Sequence, residues 1–380
     1  MQDPDWDAAR ALFPVFRNWA HLNTATFGPM PHTAVRAMTE HFSARDESAS
    51  TQFLSWFDRL DQIREKLARL IGAAADDIGF CPNAGTALSW LLHGIDWNSG
   101  DEILALDHEF PNNIYAPLLL DAKGVRFRPV PSPPGPFDAD YFLDAVGPRT
   151  RLVILSSVNY SNGMRAPLAE LAPELRRRGV LLCVDATQSV GALRYDVRTT
   201  PADFLVVHGY KWMLGPAGAG FFYAPSETRE WLFPTVVSWR SHKGWREHEQ
   251  LHHGRPELTG SAAMYEGGVQ AFALLFALET SLDLILECGP AAIERRALQL
   301  ARETREVLAS YGARPLGTAN RADASQIVTA LTPGRDPAVL CKALQARRVA
   351  VSARQGTLRV SLHFFNNRQD LQRLSEGLAA

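Results

Sequence analysis

Four uninterrupted apolar runs limit what this chain can fold into more than any other feature. They are Ile103-Leu104-Ala105-Leu106, Leu152-Val153-Ile154-Leu155, Leu181-Leu182-Cys183-Val184 and Phe204-Leu205-Val206-Val207. A strand with one wet face alternates polar and apolar residues, so runs without alternation imply a sheet covered on both sides. Between the second and third runs, residues 167–178 carry helical periodicity and stop at Gly179, a natural helix terminator. Strand, helix and strand at this spacing imply right-handed crossovers and a mostly parallel sheet covered by helices. This large α/β domain is expected over residues 21–250.

Beyond residue 250 the texture changes. Residues 269–286 form a long apolar segment that reads as a helix packed on the large domain. It contains Glu279 and Asp283, which argues against a membrane span. Residues 291–311 read as a charged helix, and shorter strand and helix patterns follow at 325–331, 338–346, 349–352 and 357–362. The expectation is a smaller α+β domain over 251–380, with an N-terminal helix within residues 1–20 packing on it.

At 380 residues the chain has material for two domains, and a net charge of −2 excludes a polybasic surface for nucleic acid or membranes. Cys81, Cys183, Cys288 and Cys341 show no metal-ligand or disulfide spacing, which points to no metal and to reduced thiols in a cytoplasmic setting. The N-terminal segment has no apolar run of signal-peptide length. Arg176-Arg177-Arg178 reads as a solvated helix end, and residues 129–136, rich in proline, as a rigid surface connection.

Three segments carry candidate chemistry. In the first, His208-Gly209-Tyr210-Lys211-Trp212 leaves the end of a buried strand, where open α/β sheets gather ligands. A lysine among apolar and aromatic groups there has a depressed pKa and serves as a nucleophile. Gly215, Gly218 and Gly220 let the chain turn tightly beside it. In the second, Asp185-Ala186-Thr187-Gln188 puts a carboxylate at the end of the preceding strand. In the third, Pro82-Asn83-Ala84-Gly85-Thr86 joins a strand to a helix start, whose free N–H groups suit an anion. Taken singly, Lys211 reads as a solvated loop lysine, Asp185 as a helix cap and the third segment as an ordinary capped helix. The pairing of Asp185 and Lys211 at successive strand ends is not explained by capping. No GxGxxG joins a first strand to a helix, which sets aside a nucleotide-dependent dehydrogenase.

Together these segments strongly resemble the class V aminotransferase family of fold-type I pyridoxal 5′-phosphate (PLP) enzymes, which includes cysteine desulfurases, isopenicillin-N-epimerase-like proteins and kynureninases. The resemblance runs from His21-Leu22-Asn23-Thr24-Ala25 to residues 358–366, and the His208–Trp212 segment looks most like the epimerase-like and kynureninase-like branches. It implies a homodimer acting on an α-amino acid. Lys211 would bind PLP as a Schiff base and move the α-proton, and Asp185 would pair with the ring nitrogen, which keeps PLP an electron sink. Gln188 would lie near the ring hydroxyl, with Phe110 stacked on the ring. Gly85, Thr86, His208 and Tyr210 would bind phosphate, and Asn159 would lie close to the cofactor. Arg359, assisted by Arg354, would clamp the substrate carboxylate as a planar fork.

The chain departs from the family pattern twice. Only Gln355-Gly356-Thr357-Leu358 separates Arg354 from Arg359, where desulfurases carry a loop with a catalytic cysteine. A persulfide-forming desulfurase is therefore not expected, while transamination, epimerisation and β/γ-elimination stay open. Tyr265-Glu266-Gly267-Gly268-Val269 resembles a motif whose final threonine reaches the phosphate of the neighbouring subunit. Val269 lacks that hydroxyl, leaving the backbone N–H of Gly268 or Val269 to contribute. This change is the sole support for an alternative, a catalytically inactive scaffold. The stretch holding Trp239, Arg240, His242 and Trp245 either lines the site, its own or the partner subunit's, or forms an exposed loop.

Overall fold

The computed structural model describes residues 3–133, 135–247, 249, 254–317 and 324–379. The expected domain boundary at residue 250 lies outside them, as does Pro134 of the proline-rich connection. Among the described residues seven strands form the main sheet: β1 (Ile78–Cys81), β2 (Glu102–Leu106), β3 (Arg126–Val130), β4 (Thr150–Ser156), β5 (Leu181–Asp185), β6 (Phe204–His208) and β7 (Gly220–Tyr223). Their spatial order is β1-β7-β6-β5-β4-β2-β3. β7 runs antiparallel to both neighbours, and the other pairings are parallel. The sheet is thus mixed with a mostly parallel core, the fold-type I architecture.

The four apolar runs fall on β2, β4, β5 and β6, all but fully buried. Their side chains split between two apolar clusters, one on each face. Leu104, Val153, Val184 and Leu205 belong to the first, and Ile103, Leu152, Cys183 and Phe204 to the second. That division is the physical origin of the missing alternation. Helix α1 (Ala84–Gly94) follows β1, and α2 (Leu168–Arg177) crosses from β4 to β5. The long helix α3 (Phe272–Cys288) packs into the first cluster through Phe272, Leu275, Phe276 and Leu282.

A four-stranded antiparallel sheet near the C-terminus runs in the order Ser352–Arg354, Thr357–Ser361, Ile327–Leu331, Arg314–Pro315. Its core joins Leu300, Leu308, Val328, Leu344, Val360 and Leu374 with Ala20 and Leu22 from the N-terminal segment. Ala20–His21 pairs with Val349–Ala350, and Arg10 donates to Asp370 at 2.7 and 2.9 Å. Among the described residues no helix is long and apolar enough to cross a membrane.

Candidate active site

Parallel strands that start on one side of a sheet end together on the other. β2, β4, β5 and β6 therefore deliver Phe110, Ser156, Asp185 and Lys211 to one edge, a register fixed where Ser156 stands opposite Asp185. These residues surround a cavity of about 30 Å³, closed further by Tyr160, Thr187, Gln188, His208 and Tyr210.

Lys211 is 6 % exposed. Its Nζ lies 5.3 Å from the Phe110 ring centroid and 5.5 Å from that of Tyr210. Burial lowers its pKa to about 8 against the opposing pull of Asp185, while Arg359 and Arg354 push the same way as burial. An amine so placed is partly neutral near neutral pH and has the lone pair that a carbonyl requires. Asp185 is buried and accepts the Thr187 N–H at 3.0 Å on Oδ1.

His208 tests whether an anionic cofactor fits. Its Nε2 is buried with no hydrogen-bond partner among the described residues, and burial followed by the Lys211 charge lowers its pKa to about 4. A neutral imidazole donates from one ring nitrogen and accepts at the other, so an unpartnered Nε2 in a cavity wall has room for a polar ligand atom, an anion's oxygen when that nitrogen carries the proton. Ala84, at the start of α1, lines the same cavity, so the helix N-terminus faces it. Asn83 caps that helix, its Oδ1 accepting the Thr86 N–H at 2.8 Å and the Thr86 hydroxyl at 3.1 Å. At Gly85 a Cβ would come within 3.2 Å of Asn112 Nδ2.

Other expected residues have different surroundings. Gln188 donates to the Ala25 carbonyl at 3.1 Å and accepts from Trp212 Nε1 at 2.7 Å, so the side chain that borders the cavity also braces the turn after Lys211. Asn159 does not line the cavity. Its amide donates to the His108 carbonyl at 2.9 Å, and its oxygen accepts from the N–H and hydroxyl of Ser161, which engages it in shaping its own turn. Gly268 and Val269 also lie away from this chain's cavity: the Gly268 carbonyl accepts from Arg240 at 3.2 Å, and Val269 is 71 % exposed.

Arg240 does not line this chain's own cavity, and it does not sit on an exposed loop. It is buried and shares the Glu266 carboxylate with Arg64, while Trp239 and Trp245 pack edge-on against Phe57. Arg359 is 1 % exposed and donates to the Tyr160 carbonyl, to Ser352 Oγ at 3.0 Å and to Thr26 Oγ1 at 2.6 Å. Burial, with Arg354 nearby, lowers its pKa to about 9. Arg354 reaches the same Thr26 hydroxyl at 3.4 Å. Tyr160 thus joins the arginine to the cavity wall.

Sequence reading missed Ser156, Thr187, Tyr160 and Asn112 as lining residues, and Glu109 beside them. Ser156 follows directly on an apolar run, the position from which Asp185 was picked out, and Thr187 lies inside the Asp185–Gln188 motif. Those were the available signals.

The aminotransferase class-V family model matches residues 22–374. Isopenicillin N epimerase of Streptomyces clavuligerus is 30% identical, the match covering 99% of this chain and 98% of that protein. A probable cysteine desulfurase of Methanothermobacter thermautotrophicus is 27% identical over 97% of this chain and 96% of its own. Among solved structures, a C-DES variant with glycine covalently linked to its PLP cofactor superposes with TM-score 0.88 at 26% identity, covering 99% of both chains. The same protein, described as a cystine C-S lyase, has been solved with its product cysteine persulfide, again with TM-score 0.88.

Proposed function

Because this chain belongs to the aminotransferase class-V family of PLP enzymes, we propose that it acts on an α-amino acid by proton transfer at the substrate Cα, with Lys211 as both cofactor anchor and base. One observation carries the reading. The buried Lys211 amine, with its pKa near 8, faces the Phe110 ring and shares its cavity with the Asp185 carboxylate. Bound PLP supplies an electron sink for the electrons left at Cα when its proton departs.

The residues then divide the work. Lys211 Nζ would hold the cofactor and, when free, would take the Cα proton. Asp185 keeps a proton on the ring nitrogen. Phe110 offers a flat apolar face to the ring. The His208 imidazole and the N-terminus of α1 would receive the phosphate. The Arg359 guanidinium, with Arg354 beside it, receives the substrate carboxylate and thereby fixes which face of Cα meets Lys211.

The cysteines argue against a protein persulfide. The Ser352–Arg354 and Thr357–Ser361 strands are joined by a tight turn at Gln355 and Gly356, both with positive φ. Cys341, on the Pro337–Ala346 helix, is held as a thiol by burial, its pKa raised to about 11. Burial likewise raises the pKa of Cys81, Cys183 and Cys288. A thiolate is the form that attacks sulfur. Transamination, epimerisation and β/γ-elimination need only the groups above, with product leaving directly, in a homodimer whose 266–269 turns approach the partner's cofactor.

Mass spectrometry and chiral analysis of an amino-acid panel incubated with PLP-loaded protein test the proposal. Keto acid, released ammonia or an inverted α-carbon on at least one amino acid is expected. An unchanged panel together with an unchanged cofactor spectrum contradicts it.

A further inference from the structure

Next to the cavity lies a carboxyl group to which the family pattern assigned no role here. Glu109 is 3 % exposed. Its Oε1 accepts the Ser156 N–H at 2.7 Å. Its Oε2 accepts the Ser156 hydroxyl, Asn113 Nδ2 at 3.0 Å and the Phe110 N–H at 3.3 Å. No arginine, lysine or histidine forms an ion pair with it among the described residues. Burial raises its pKa, and Asp185 adds to the rise. A carboxyl buried without a cation is costly to keep, so its hydrogen bonds must define something.

They converge on the Phe110 backbone. The Phe110 N–H donates to Glu109, and the Phe110 carbonyl accepts the Asn113 N–H at 2.8 Å. Asn113 in turn donates its side chain to the same Glu109 oxygen. The chain on both sides of Phe110 is therefore tied to one carboxyl, which is anchored to Ser156 at the end of β4. Ser156 stands opposite Asp185 across the β4–β5 pairing. One side chain sets the Phe110 ring relative to the carboxylate meant for the ring nitrogen.

We infer that Glu109 is a positioning residue: its bridge from Phe110 and Asn113 to Ser156 fixes the Phe110 face relative to Asp185, the two groups that would hold the cofactor ring. The inference rests on the PLP reading above. Glutamine cannot reproduce the bridge, because its NH₂ would confront the N–H of Ser156 or the donors on Asn113 and Phe110.

A double-mutant cycle on PLP affinity tests it, with Glu109→Gln, Phe110→Ala and the pair combined. Glu109→Gln is expected to weaken PLP binding about tenfold, the loss of one hydrogen bond to a buried carboxyl, and to shift the absorption maximum of bound PLP. In the Phe110→Ala background the same change is expected to add less than about twofold, because the two act through one ring. Equal losses in both backgrounds, or an unaltered affinity and spectrum in Glu109→Gln, overturn the inference. Should Glu109→Gln not fold, Asn113→Ala removes one donor from the same carboxyl and runs the same cycle. Wild-type protein that takes up no PLP contradicts the cofactor reading itself. Normal wild-type uptake with an indifferent Glu109→Gln contradicts only the role of Glu109.

Discussion

At Lys211 burial and the neighbouring arginines oppose the attraction of Asp185, and burial prevails. The folded pKa of about 8 lies below the 10.5 of the unfolded chain, so folding carries a penalty that is complete below pH 8 and fades as pH rises to 10.5. At 1.36 kcal/mol per unit the penalty is about 3 kcal/mol. Lys211→Met is therefore expected to stabilise the cofactor-free protein at pH 7, with the gain shrinking toward pH 10, as read by urea unfolding. A gain independent of pH would place its origin elsewhere. Lys211 and Asp185 were legible in the sequence because each follows an apolar run, and strand ends of a parallel sheet converge. Glu109 was not. Its partners, Ser156 and Asn113, come from another strand and the next helix, and an acidic residue in a loop carries no local mark of burial.

Among the elements, the four buried strands and helix α2 were legible because burial on both faces leaves a continuous apolar signature. The brace behind the Lys211 turn was not, since it is assembled from three distant segments. Trp212 donates its indole N–H to Gln188, while its carbonyl meets His363 Nε2 at 2.9 Å. His363 Nδ1 accepts the Phe364 N–H at 2.8 Å, which leaves the proton on Nε2 to donate. At Gly191 a Cβ would stand 2.2 Å from that same Trp212 carbonyl, so the turn admits no side chain there. Burial lowers the His363 pKa to about 4. The unfolded chain then binds the extra proton between pH 6.5 and 4, and stability falls with acid across that window. From pH 6.5 to 5 this group costs about 2 kcal/mol. His363→Leu, which has no donor, is expected to be less stable than wild type at pH 7.5, by about 1–3 kcal/mol for the unsatisfied Trp212 carbonyl, yet to lose less on going to pH 5. Equal acid losses in both proteins would contradict this role.

At the scale of the whole molecule, the exposed turn that ends at Val269 hangs from a buried node. Glu266 accepts from Arg64 at 2.8 Å, Arg240 at 3.2 Å and the Phe80 N–H at 2.8 Å, and Arg240 also holds the Gly268 carbonyl. Phe80 belongs to β1, which leads to the α1 N-terminus, so one carboxylate links the turn proposed for the partner's cofactor to the strand before this chain's own anion site. This node was not legible, because Arg64, Arg240 and Glu266 lie far apart in sequence. If the turn reaches across a dimer, Val269→Thr restores a donor and is expected to tighten PLP binding by a few-fold to about tenfold. An unaltered dissociation constant would argue that the turn stays remote. The proposed chemistry depends on one bond, that between Lys211 Nζ and PLP. Borohydride reduction of PLP-loaded protein followed by peptide mass spectrometry measures it directly. A reduced pyridoxyl adduct is expected on the Lys211 peptide and none in Lys211→Ala. A wild-type protein without PLP, or an adduct on Lys66, Lys123, Lys243 or Lys342 instead, would contradict it.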